Sequence, residues 1–388
     1  MPHLLHVFPS FGIGGMPLRT VRVMNYLAAR CRHTVISVDG VTTAAEQIAG
    51  GVAVEIIPMV VDKRRPLANL LSFRRFLANA KPDLLATYNW GAIEWAAINR
   101  IRPLCRHVHF EAGFGREEAT RQFRRRVIAR HFVLATSDAV VVPSRTLERI
   151  ALNVWRLSRQ QVRYIPDGID VARFARTNRL TSETGRPQHR IVIGTVAPLR
   201  PEKNIARLIE VFSQIADDPR FQLVIAGDGP ERTRLEQLAT ARGLDHRIKF
   251  LGHVPRPEEV LPSFGIFALS SDTEQMPNAL LEAMAAGLPI ASVDVGDVHS
   301  MVAPVNRPYI VPRDRPDALA LAFRQLAKDA PLRQRLGAEN RIQAEAHFGQ
   351  DRMFRQYDEL LLGGLTSAGT LSPDDRRALA LRPGSDRA

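Results

Sequence analysis

The sequence predicts an α/β protein of two Rossmann-like domains, each built on a parallel sheet and facing the other across a cleft. Length is the first reason: 388 residues exceed one ordinary core and suit roughly two domains of about 150 to 200 residues. Periodicity is the second, because short apolar runs alternate with amphipathic segments, the βαβ pattern of parallel sheets covered on both faces. The third is one interruption, a polar stretch from Ala175 to Gln188 after which the alternation restarts. Residues 1–174 are therefore assigned to a first domain, 175–189 to a linker and 190–348 to a second domain.

Taken in order, Leu4 to Phe8 is a strand, and the turn SFGIGG follows it. A helix opens near Pro17, a residue suited to a first helical turn, and runs to about Arg30. Thr34 to Val38 and Val54 to Ile57 are strands, and Leu67 to Ala80 is a helix stopped by Lys81 and Pro82. Asp83 to Thr87 is a strand, Ile93 to Arg100 a helix and Arg106 to Phe110 extended. A strand at Ala139 to Val142 and a helix from Ser144 to Ala151 complete the first cycle. Gly12, Gly14 and Gly15 precede a helix as a phosphate-binding turn would. A dinucleotide fingerprint would need glycine where Pro17 stands, so a nicotinamide cofactor is not expected.

The second cycle repeats the pattern. Strands are expected at Arg190 to Val196, Gln222 to Ala226, Ile248 to Leu251 and Ile266 to Ser270. Helices fall at Ile205 to Ala216, Glu231 to Arg242 and Pro257 to Leu261, and later at 316–329, 332–347 and 350–362. Between them lies TEQMPNALLEAMAAGLPIAS, residues 273–292. Its helix runs from Asn278 to Ala286, stops at Gly287 and Pro289, and leads into the strand Ile290 to Val293. The open helix end, with N–H groups of Asn278, Ala279 and Leu280, suits a phosphate. Glu274 and Glu282 bracket it, and Glu282 leans back toward the mouth from the same face as Asn278. Carboxylates only accept hydrogen bonds, which suits sugar diols. Arg200 and Lys203, in a turn between strand and helix, can oppose a diphosphate.

Composition narrows the classes. Two cysteines, Cys31 and Cys105, form no disulfide framework or metal cluster and fit a reducing, cytoplasmic setting. The N-terminus lacks the basic region of a signal peptide, and no apolar run reaches the roughly 20 residues of a membrane span. No ligand spacing for a metal appears. Net charge is +13, yet no nucleic-acid-binding motif accompanies it and aromatics are 6%, so nucleic acid is not the expected partner. Nine arginines lie between residues 100 and 130 against three glutamates. The run Arg121 to Arg130 reads either as a basic amphipathic helix able to lie on an anionic membrane surface, which would make the protein peripheral, or as a solvated helix face.

In combination and order, these residues resemble glycosyltransferase family 4, retaining enzymes of the GT-B fold. The resemblance spans nearly the whole chain, through Gly14-Gly15, Asp138 to Ser144, Ile165 to Asp170, Arg200 to Lys203, Ala226 to Pro230, Phe250 to Gly252 and the acids Glu274 and Glu282. It implies transfer of a hexose from a UDP- or GDP-sugar to a hydroxyl, without metal or cofactor, in cell-surface polysaccharide or glycolipid synthesis. Glu282 would hold the ribose. The segment Met276, Pro277, Asn278, Ala279 and Leu280 would hold the diphosphate with Arg200 and Lys203. Glu274 would bind sugar hydroxyls, and Gly252 and Val254 would flank the base. A glycan or lipid-linked acceptor would sit in the first domain near Gly14 and Gly15, to which the helix 349–363 returns before a flexible tail, 364–388. Two positions depart from the pattern. The usual basic residue after the strand is Pro198, so Arg200 inherits its role. The histidine of the first domain falls on Ala112, leaving His109 and Glu111 as catalytic substitutes. A nucleotide-sugar epimerase of the same fold is the alternative.

Overall fold

A computed structural model describes residues 1–61, 64–114, 118, 121–174 and 190–365. The expected linker at 175–189, and the tail beyond residue 365, lie outside the described residues.

Seven strands form the first sheet: β1 (His3–Phe8), β2 (Arg32–Ser37), β3 (Val54–Pro58), β4 (Leu84–Tyr88), β5 (Arg106–Phe110), β6 (Ala139–Val142) and β7 (Val162–Tyr164). Their order is β3-β2-β1-β4-β5-β6-β7. The helices of this half are α1 (Gly15–Leu27), α2 (Pro66–Ala80), α3 (Ile93–Ile101), α4 (Arg124–Leu134) and α5 (Arg145–Asn153). Every residue of β1 is buried, as a strand covered on both faces requires, and it pairs in parallel with β2 and β4. Helix α2 starts on a proline and ends at Lys81 in the left-handed region, whose N–H donates to the Leu77 carbonyl at 3.1 Å before Pro82.

The second sheet has six strands: β8 (Ile191–Val196), β9 (Phe221–Ala226), β10 (Ile248–Gly252), β11 (Ile266–Leu269), β12 (Ile290–Val293) and β13 (Ile310–Val311). Their order, β10-β9-β8-β11-β12-β13, reverses between β8 and β11, and the pairings are parallel. The helices are α6 (Ile205–Ser213), α7 (Arg232–Ala241), α8 (Pro257–Val260), α9 (Asn278–Ala285), α10 (Val298–Met301), α11 (Pro316–Lys328), α12 (Ala330–Phe348) and α13 (Gln350–Leu362). One core runs through this half, joining β8, β9, β11 and β12 to α6, α9, α11 and α12.

The chain packs as two compact units. Among the described residues, one holds those of 1–110, 133–139 and 354–365, and the other those of 111–132 and 140–353. Within the first, α13 lies against β5 and α1: Tyr357 stacks on Phe110 at 5.7 Å, Phe354 on Tyr26 at 4.7 Å, and Asp358 pairs with Arg30 at 2.7 Å. The second unit takes in β7 and α5, whose bonds to the loop after β11 are described below.

Candidate active site

Ligands of open α/β sheets gather past the carboxyl ends of the strands, where strand order reverses. In the second sheet that point lies between the segments after β8 and β11. After β8 the chain turns through Ala197 to Asn204 and is laced to the end of β9. Ala197 N–H donates to Ala226 (3.0 Å), Leu199 N–H to Asp228 (2.9 Å), and Glu231 N–H to Leu199 (3.0 Å). Gly227, at φ +153°, makes this approach possible: a Cβ there would sit 1.8 Å from the Ala197 carbonyl oxygen. Its own N–H reaches the Gly252 carbonyl at 2.8 Å, so the tips of β8, β9 and β10 form one rim.

The same turn is tied to the segment after β11. Asn204 caps α6, accepting the Arg207 N–H at 3.1 Å, and its amide donates to Asp272 at 3.0 Å. Asp272 N–H donates to the Glu202 carbonyl at 2.9 Å, and Arg207 holds the Ser270 carbonyl at 2.7 Å. These bonds bring Lys203 to Glu274. The Lys203 ammonium lies 2.6 Å from Glu274 Oε1, and the Ser271 hydroxyl donates to the same oxygen at 2.7 Å. Both charged side chains are largely enclosed, at 21% and 10% exposure, so their attraction is less screened than a surface pair's. Arg200 is exposed beside them.

Helix α9 opens three residues further on. Pro277 stands at its N-cap, no side chain caps it and no acid lies in its first turn, so its dipole end is left for a ligand. One expectation is corrected. Leu280 N–H donates to the Pro277 carbonyl at 3.1 Å, so the amides of Asn278 and Ala279 are the ones left to face an anion. Glu282 is half-buried one turn along. Near it Arg173 forks onto Glu258 at 2.8 and 2.7 Å; that bond, above all, raises the Arg173 pKa, and the charge of Glu282 adds to it. Val254 is half-buried, and Gly252 is buried at φ +75°. Met276 turns inward, its sulfur accepting the Asp167 N–H at 3.3 Å, so only its backbone is offered to a ligand.

The remaining candidates lie elsewhere. In the first unit, Gly14 is the N-cap of α1 without a side-chain cap, and Gly15 is exposed beside it. His109 is fully buried, its Nδ1 2.8 Å from the Thr87 hydroxyl that also meets His107. In the second unit, Glu111 is fully buried 3.3 Å from Arg130, which also meets Glu118 at 3.5 Å and lies over the rings of Phe114 and Trp155. His109 and Glu111, the two catalytic candidates of the first half, are thus both enclosed by protein. The basic run is likewise divided: Arg126 and Arg130 turn inward to Glu118, while Arg121, Arg124 and Arg125 stay exposed with Ile128 and Phe132. Sequence reasoning passed over Ser271, Arg173, Glu258 and Asp297. Each is an ordinary polar residue; Ser271 is marked only by its bond within the same loop, and the other three only by contacts with distant positions. Among the described residues, no group of three or more His, Cys, Asp or Glu side chains is placed to hold a metal ion, and no helix is long and apolar enough to cross a membrane.

Two family models match the chain in succession: "Glycosyltransferase Family 4" over residues 13–173 and "Glycosyl transferases group 1" over 177–343. A 2-deoxystreptamine N-acetyl-D-glucosaminyltransferase of Streptomyces fradiae is 26% identical over 74% of this chain and 73% of its own. A 2-deoxystreptamine glucosyltransferase of Streptomyces kanamyceticus is 30% identical over 45% of this chain and 47% of its own. With several curated relatives the match thus spans only about half their length, at 44%, 48% and 47%. Among solved structures, sucrose-phosphate synthase of Thermosynechococcus elongatus aligns with TM-score 0.76 and 20% identity over 95% of this chain and 100% of its own. HepE of Anabaena in complex with UDP aligns with TM-score 0.76 and 17% identity over 93% and 99%. These structures establish the GT-B fold.

Proposed function

The chain belongs to glycosyltransferase family 4, and on that premise we propose that it moves a hexose from a UDP- or GDP-sugar to a hydroxyl acceptor with retention of anomeric configuration. The observation that carries this reading is the meeting of Lys203 and Glu274 beside the uncapped mouth of α9. One side of that cluster offers cation and N–H donors to a diphosphate; the other offers a carboxylate to sugar hydroxyls.

In the proposed reaction the bond from the anomeric carbon to the diphosphate oxygen breaks, and the acceptor oxygen bonds to that carbon. The acceptor proton passes to the departing phosphate oxygen. Charge growing there is opposed by Arg200, Lys203 and the amides of Asn278 and Ala279, so the proposed step draws on no metal or other cofactor. Glu274 orients the sugar, Glu282 takes the ribose hydroxyls, and Gly252 and Val254 border the base. Two relatives named for glucosyl and N-acetylglucosaminyl transfer support a hexose, and the UDP complex of HepE supports a uridine donor. The epimerase alternative finds no support among these relatives; its mark would be free sugar released without acceptor.

The proposed acceptor is a glycan or lipid-linked sugar of cell-surface polysaccharide or glycolipid synthesis, met at the inner face of the membrane. The support is the face of α4 and its approach, where exposed Arg121, Arg124 and Arg125 flank exposed Ile128 and Phe132. A thermal-shift screen with UDP-, GDP- and ADP-sugars tests the donor. The true donor at 100 times its Kd stabilises the protein by about 2.7 kcal/mol. Absence of any shift, or full transferase activity in Glu274→Ala, would refute the assignment.

A further inference from the structure

We infer that Asp297 is a positioning residue for Glu274, bracing the loop that carries it against the N-terminus of α5. The first amides of a helix need partners from outside it. In α5 the Leu147 N–H is taken by the Ser144 hydroxyl at 3.0 Å, and the Glu148 N–H makes the first helical bond to the Ser144 carbonyl at 2.9 Å. The two amides that remain go to one carboxylate distant in sequence. Arg145 N–H meets Asp297 Oδ2 at 2.5 Å, and the N–H and hydroxyl of Thr146 meet Oδ1 at 3.0 and 2.8 Å. Asp297 is 5% exposed, so these bonds and the helix dipole act with little screening.

The other side of Asp297 rests on the catalytic loop. Its N–H donates to the Gln275 carbonyl at 3.2 Å. Gly296, at φ +58°, is pressed so close that a Cβ would lie 2.4 Å from the Glu274 carbonyl oxygen and 2.9 Å from that of Gln275. The Ser144 hydroxyl closes the ring on the Gln275 side chain at 3.3 Å. Glu274 is thus held through its carboxylate by Lys203 and Ser271, and its loop is held at the next residue, Gln275, by Asp297 and Ser144. Arg200 and Glu282 stand on other segments, and Lys203 meets the brace only through the Glu274 carboxylate.

That separation supplies the test, which rests on Glu274 contacting the donor sugar. UDP carries no sugar for Glu274 to touch, whereas a UDP-hexose does. The probes are UDP and the UDP-hexose that most stabilises the wild-type protein. In Asp297→Ala, UDP affinity is expected to stay within about twofold, while turnover of the UDP-hexose falls about tenfold or more. Asp297→Asn keeps one of the two accepting oxygens and is expected to fall between wild type and Asp297→Ala; it also serves if the alanine variant does not fold. Unchanged turnover in a folded variant, or equal loss of UDP and UDP-hexose binding, overturns the inference. A wild-type protein that binds no nucleotide sugar overturns instead the functional reading beneath it, and shows this before any variant is made.

Discussion

Glu274 shares one carboxylate oxygen between an ammonium and a hydroxyl, and Lys203 is the partner that also faces the proposed diphosphate. Lys203→Ala is therefore expected to lower turnover about 100-fold or more, as loss of an electrostatic donor does, and to lower the melting temperature because the enclosed Glu274 carboxylate loses its cation; a steady-state assay beside a melting curve checks both. The buried histidines of the first unit make stability depend on pH. His6 bridges Tyr88 and His33, and His33 meets the Cys31 sulfur. Burial, helped by the neighbouring His3, pushes the His33 pKa down to about 4, and burial with His109 nearby pushes that of His107 down to about 3. Their folded values lie below the ordinary 6.5, so as pH falls the unfolded chain takes up protons first. Stability is complete above about pH 6.5 and erodes as pH falls toward 4 for His33 and 3 for His107. Denaturant midpoints at pH 7 and pH 4.5 should differ, and His33→Gln should shrink the difference; equal midpoints would contradict the argument. The acids Glu274 and Glu282 were legible in the sequence because their spacing sits in an ordered string of turns. Asp297 was not, because its meaning lies in two amides at Arg145 and Thr146.

The helix that carries Glu282 is fixed at its far end by two buried amides. Asn306 stands in for a strand partner of Ile290, accepting its N–H at 3.0 Å and donating to its carbonyl at 2.8 Å. Asn340 of α12 donates to the Leu288 carbonyl at 2.9 Å and to Asn306 at 2.8 Å, and accepts the Ala303 N–H at 3.0 Å. Asn340→Ala strands these groups away from water and should cost about 2 to 3 kcal/mol in denaturant melts. Gly227→Ala forces a methyl into the Ala197 carbonyl and should cost about 3 kcal/mol or more, with loss of the rim that seats Arg200. Helices such as α6 and α9 were legible from their apolar spacing and stop signals. Strand β13 has only two residues and β7 three, too few for alternation to register. On α4 the period marked a helix but not which arginines turn inward, since the acids that draw them in, Glu111 and Glu118, precede the helix.

Across the whole molecule, a net charge of +13 favours anionic surfaces. Co-sedimentation with phosphatidylglycerol-rich vesicles is expected to be strong at low salt, weak at high salt, and reduced by joint Arg124→Glu and Arg125→Glu substitution. Salt-independent binding, or none, would remove the proposed membrane contact. The parallel sheets were legible from periodicity alone. The grouping of β7 and α5 with the second unit was not, because bonds such as Ser144 to Gln275 span 131 positions. The last described helix carries a consequence for how the protein is made. The second unit is complete in sequence by residue 353, while the first still lacks the helix that covers Tyr26 and Phe110. Emerging from the ribosome, the half translated first is the half finished last, and its open aromatic face must be kept from other nascent chains until Phe354 and Tyr357 arrive.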